Sequence, residues 1–124
     1  MIRKISLLGV ALALAATLAY AQGEKKTVKV TGYVIDNMCA GMHGTEDEAK
    51  EHSTSCALMP NCEKSGYAVI SGDKTYKLDA NGNKLAEQAL KTTHTKKGLR
   101  VEVEGTLDGD TLRADKLTEV KASS

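Results

Sequence analysis

Three cysteines, two histidines and three methionines crowd into one stretch of this 124-residue chain: Cys39, Cys56 and Cys62 with His43 and His52, and Met38, Met42 and Met59 between and beside them. The only other histidine is His94, and the only other methionine is Met1. Sulfur and imidazole donors at such density have metal-ligand character. Cys39-x-x-x-His43 and His52-x-x-x-Cys56 are the two close pairs. Thr45-Glu-Asp-Glu48 reads as a capping box with Glu48 reaching back, which predicts a short helix from Glu46 to about Ser53. His52 and Cys56, on or just beyond that helix and four residues apart, would share one of its faces. Pro60 predicts a turn that returns Cys62 toward the others. Cys39, His43, Cys56 and Cys62, with His52 as an alternate, would make a four-coordinate sulfur and nitrogen shell for Zn²⁺, whereas thiolates with thioethers suit Cu(I).

The same cysteines carry two competing readings. In a small exported protein, cysteines ordinarily form disulfides that staple a modest core, and three of them give one bridge, one leftover thiol and three possible pairings. The methionines would then pack the segment against the rest of the fold, with His43 and His52 as solvated surface residues. This staple is the first expectation, and with it a non-enzymatic binding or interaction module. A thiol redox protein is the further alternative. It needs a cysteine of lowered pKa, and Cys62, with Lys64 as the nearest cation in sequence, is the better candidate.

No catalytic or cofactor-binding set is legible. There is no C-x-x-C-H, no C-x-x-C and no glycine-rich phosphate loop, and no Ser/His/Asp or paired-carboxylate arrangement. Asp79-x-Asn81-x-Asn83 resembles the start of a calcium loop, but Lys84 stands where such loops need glycine and Leu90 where they need glutamate; the stretch reads as a turn.

The elements that must position the donors follow from periodicity. Thr27 to Asp36 alternates as a half-buried strand, with Gly32 at a bend. Tyr67 to Ser71 and Thr75 to Leu78 form a hairpin through Gly72-Asp73, of type II′. After the cluster from Asp79 to Asn83, Lys84 to Thr93 places Leu85, Ala86, Ala89 and Leu90 on one face of an amphipathic helix that Asn83 would cap. Leu99 to Gly105 alternates again, and Asp108-Gly109 signals a type I′ turn into a last strand from about Thr111 to Val120. The fold class is therefore mainly β. It is a five-stranded OB-like barrel with one helix between strands 3 and 4, and the Cys/His/Met-rich residues 37–66 form a lobe between strands 1 and 2. A small α+β roll has the same element order. A connection of this length is expected to be functional or internally structured.

Arg3 and Lys4, the apolar run Ile5 to Leu18 and Ala19-Tyr20-Ala21 have the three-part layout of a secretory signal peptide. Residues 1–21 are thus expected to be removed, leaving 22–124 as a single secreted or periplasmic domain. The run is shorter than the roughly 20 residues a spanning helix needs, so no stable membrane anchor is expected after cleavage. The formal net charge is +1, and loss of Arg3 and Lys4 would leave the remainder near neutral. That balance, with only Tyr33, Tyr67 and Tyr76 as aromatics beyond the leader, argues against nucleic-acid binding. A protein or a metal ion is the remaining kind of partner.

Asp36-x-Met38-Cys39, His43 and Cys56-Ala-Leu-Met-Pro-x-Cys62-x-x-Ser65-Gly66-Tyr67 resemble a family of small secreted bacterial OB-like proteins with a Cys/His-containing insert. The resemblance implies an exported OB-like domain in which a cysteine, a histidine four residues on and two later cysteines recur, here Cys39, His43, Cys56 and Cys62. It brings no enzyme activity and no ligand with it.

Overall fold

A computed structural model describes residues 26–42 and 44–121; the expected signal peptide and His43 lie outside the described residues. The elements run β1 (Lys26–Asp36), α1 (Asn37–Ala40), α2 (Glu46–Lys50), α3 (Thr54–Ala57), α4 (Pro60–Ser65), β2 (Tyr67–Ser71), β3 (Lys74–Leu78), α5 (Ala80–Thr92), β4 (Arg100–Asp108) and β5 (Thr111–Glu119). The strands close a barrel in the order β1-β2-β3-β5-β4, with β4 returning to β1. β3 and β5 are parallel and the other pairs antiparallel. This is the expected five-stranded OB-like barrel, with its helix between the third and fourth strands.

Closure depends on β1 serving two partners. Residues Lys26 to Tyr33 pair with β4 and Tyr33 to Asp36 with β2, so the strand changes neighbours at Gly32-Tyr33. A Cβ on Gly32 would stand 2.3 Å from the Ile70 carbonyl oxygen; the bend expected there is a close backbone approach that only glycine permits.

Alternation then divides the side chains between two apolar clusters. Val30, Val34, Val69, Val101, Val103, Leu112 and their neighbours fill the barrel, where Ala86 and Leu90 of α5 join them. Tyr33, Ile35, Ala68 and Ile70 point the other way, and Ala49, Cys39 and Ala40 of the lobe cover them. Both faces of the β1–β2 pair are therefore buried, one by the barrel and one by the lobe. That explains why Tyr67 to Ile70 is an unbroken apolar run rather than an alternating one.

The structure corrects several local expectations. α5 begins at Ala80 rather than Lys84, because Asp79 is the N-cap, accepting from the Gly82 amide at 2.9 Å. Asn81 and Asn83 sit in its first turn, and their side chains bond neighbouring strands: Asn81 Nδ2 donates to the Ala114 carbonyl at 2.7 Å, and Asn83 Oδ1 accepts from the Tyr67 amide at 2.8 Å. These bonds offset the low helix propensity of the segment. The last hairpin turns through Gly109-Asp110 with positive φ at the glycine alone, which excludes type I′. The helix begun at Glu46 stops at Lys50, and Ser53 caps a separate α3, so His52 and Cys56 do not share a helix face. Thr45 caps α2 as expected, but its hydroxyl meets the Glu48 carboxylate directly at 2.9 Å. Pro60 starts α4 at its first position, where the missing N–H costs nothing.

Candidate metal centre

The site is built around the last residue of β1. Asp36 is fully buried and serves as N-cap of α1. Its Oδ2 accepts from the Cys39 amide at 2.9 Å, and its Oδ1 meets His52 Nε2 at 2.8 Å. One carboxylate thereby starts the helix that carries the first cysteine and holds the histidine that follows α2.

Backbone bonds hold the His52 segment as firmly. The His52 carbonyl accepts from the Gly98 amide at 3.0 Å, and the Thr54 amide donates to the Lys96 carbonyl at 2.9 Å. The Thr54 hydroxyl donates to the Thr95 carbonyl at 2.7 Å. The loop between α5 and β4 thus clamps the join between α2 and α3. At the other end of α3, the Tyr67 hydroxyl donates to the Ala57 carbonyl at 2.9 Å from within the barrel core. α4 then follows directly and buries Cys62.

These constraints bring all three sulfurs to one place. The Sγ atoms of Cys39, Cys56 and Cys62 lie within 4.8 Å of one another, and donor atoms of Asp36, Cys39 and His52 form a second such group that shares Cys39. The expected disulfide is not formed, and the three cysteines are free. All three sulfurs are gathered beside Asp36. His52, expected either as a surface residue or as an alternate ligand, is at the site, its side chain only 11% exposed. The methionines do not pack the lobe: Met38, Met42 and Met59 are 49%, 68% and 55% exposed.

No family model, curated protein or solved structure matches the chain.

The chemistry of the site is read from its own atoms. Burial, and then the Asp36 carboxylate beside it, push the Cys39 thiol up to about 12. Burial followed by the same carboxylate raises Cys62, the reverse of the lowered pKa that a nucleophilic Cys62 requires. Burial of Asp36 works toward a higher pKa, but the Cys39 amide and thiol together with His52 outweigh it and hold the carboxyl below its usual range. Asp36 thus lies beside Cys39 and Cys62, and its carboxylate disfavours the thiolate of each. A bound cation inverts that balance, since a metal deprotonates the thiols it ligates. The group can hold a metal: three soft donors converge, a negative charge lies beneath them, and a histidine stands alongside. In the tautomer whose Nε2–H donates to Asp36, the lone pair of His52 is on Nδ1, the nitrogen that would then face a metal ligand position. A surface cavity of about 470 Å³, lined by Asp47, Glu48, Glu51, His52, Ser53 and Cys56, opens beside the site.

Sequence reasoning missed Asp36. The available signal was its position, an aspartate ending a strand three residues before a cysteine, which is where an N-cap belongs.

Proposed function

We propose that this protein is an extracytoplasmic metal-binding protein that holds Cu(I) on the thiolates of Cys39, Cys56 and Cys62. The observation that carries this reading is the convergence of the three sulfurs on one point beside buried, ionised Asp36. Thiolate donors select Cu(I) among the common soft metals, and three sulfurs satisfy it without a fourth residue. The role is carriage or storage, since a shell filled by three thiolates keeps no open position for a substrate.

Zn²⁺ is the second reading, favoured by the Asp36–His52 hydrogen bond. A metal-bound histidine characteristically gives its other ring N–H to a carboxylate, and His52 would then complete a Cys₃His shell.

Protein isolated anaerobically from its native compartment tests both. After denaturation with chelator it should show three free thiols and about one metal per chain, and elemental analysis distinguishes copper from zinc. One free thiol with no metal would overturn the proposal and restore the staple.

A further inference from the structure

We infer that Met38, Met42 and Met59 form an outer thioether site that receives Cu(I) and passes it to the three thiols, an inference that rests on the Cu(I) reading above. Among the described residues these three are the exposed large hydrophobic side chains. Methionine is also the aliphatic side chain that carries a soft lone pair. Each lies close in sequence to a cysteine of the site. Met38 precedes Cys39, Met42 follows it by three residues, and Met59 is three residues from both Cys56 and Cys62.

Local structure ties each of these placements to a helix that carries a cysteine. The Gly41 amide donates to the Asn37 carbonyl at 3.2 Å and the Met42 amide to the Cys39 carbonyl at 3.0 Å, so the helical path of α1 continues through Met42. Met38 and Met42 therefore lie about one turn apart along that path. The Met59 amide donates to the Cys56 carbonyl at 3.1 Å, and the Met59 carbonyl accepts from the Glu63 amide at 2.8 Å, which sets this methionine at the junction of the two cysteine-bearing helices α3 and α4. α1 packs on α4, so all three thioethers belong to the structural unit that holds the thiols.

A thioether has no proton to lose, so it captures a soft cation at any pH, and weakly. In the transfer, a copper–thioether bond breaks as a copper–thiolate bond forms, the thiol proton leaves to water, and copper remains Cu(I). Zn²⁺, a poor partner for thioethers, gains nothing from this route.

Cu(I) supplied as a complex with an aromatic-nitrogen chelator should load the reduced full chain quickly. The Met38→Leu/Met42→Leu/Met59→Leu variant should load about tenfold more slowly, with the final stoichiometry and the rate of Zn²⁺ uptake unchanged. Equal Cu(I) rates would overturn the outer site and leave the thiol site standing. A second measurement is independent of the thiols. In the Cys39→Ser/Cys56→Ser/Cys62→Ser variant labelled at methionine methyls, Ag⁺ should shift the Met38, Met42 and Met59 signals, and unmoved signals would overturn the outer site. If the wild type takes up no Cu(I), the thiol reading fails, and the methyl titration alone decides whether the thioethers bind a soft cation.

Discussion

Asp36 Oδ1 and His52 Nε2 meet at 2.8 Å across the seam between barrel and lobe, one residue ending β1 and the other following α2. Because Asp36 is fully buried and also caps α1, this single carboxylate serves both the fold and the candidate metal site.

Replacing it should therefore affect both. Asp36→Asn keeps the size but removes the charge and turns a donor toward His52 or Cys39, leaving a buried group unsatisfied. The metal-free protein should lose about 2 kcal/mol, seen as a lower urea midpoint with an unchanged slope. A midpoint equal to that of the wild type would deny Asp36 its structural role.

Tyr67 gives a pH dependence of defined sign. Burial, reinforced by the Glu63 carboxylate and then by others nearby, pushes its phenol up to about 12, whereas in the unfolded chain it ionises near its ordinary value of about 10. Its contribution to stability is then complete below about pH 10 and is lost as pH climbs from there through the folded value. Tyr67→Phe should flatten that alkaline limb. It should also cost about 1 kcal/mol at neutral pH, because the Ala57 carbonyl loses its donor. Identical alkaline unfolding curves for the two proteins would contradict the buried phenol.

Gly98 has φ +66°, and a Cβ there would lie 2.3 Å from the Lys50 carbonyl oxygen. Gly98→Ala should destabilise by about 2 kcal/mol or more, since positive φ and a backbone collision act together. It should also weaken metal binding, because the Gly98 amide positions His52. Unfolding and metal titrations on the same preparation check the two effects.

The two metal readings separate at His52. If Zn²⁺ is held, His52→Ala should reduce its affinity by at least about tenfold, while Cu(I) on three thiolates should change far less. His43→Ala is the comparison, and a larger loss of Zn²⁺ affinity there would transfer the role to His43.

Added metal should raise the unfolding midpoint of the reduced wild type. A ligand at a hundred times its dissociation constant contributes about 2.7 kcal/mol. Cys62→Ser should abolish the gain, and a Cys62→Ser protein that is stabilised as much as the wild type would place the metal elsewhere.

The barrel was legible because its signals are periodic: alternation in β1 and β4, the Gly72-Asp73 turn and the apolar face of α5 each act over a few residues. Errors arose where tertiary partners override local preference. Asn81 and Asn83 look like turn residues until the Ala114 carbonyl and the Tyr67 amide take up their side chains. The clustering of Cys39, Cys56 and Cys62 was plain in the sequence, but their fate was not, since a staple and a shared site have the same spacing. Asp36 and the orientation of His52 required the fold, because the two are brought together by β1, α2 and the clamp from Gly98, and not by spacing.

The lobe leaves the barrel at Asp36 and rejoins it at Tyr67, and these residues are partners on one rung of the β1–β2 ladder. The Asn37 amide, donating to the Gly66 carbonyl at 2.9 Å, closes the gap just above that rung. A segment whose two ends meet at one point can be lengthened, shortened or exchanged without shifting the register of any strand. A replacement must still shield Ile35 and Ile70 from water and still offer partners to the Tyr67 hydroxyl and to the loop between α5 and β4. The architecture therefore separates inheritance of the scaffold from variation of the side chains the lobe gathers: a lineage could rewrite the lobe while the register of every strand stayed as it was.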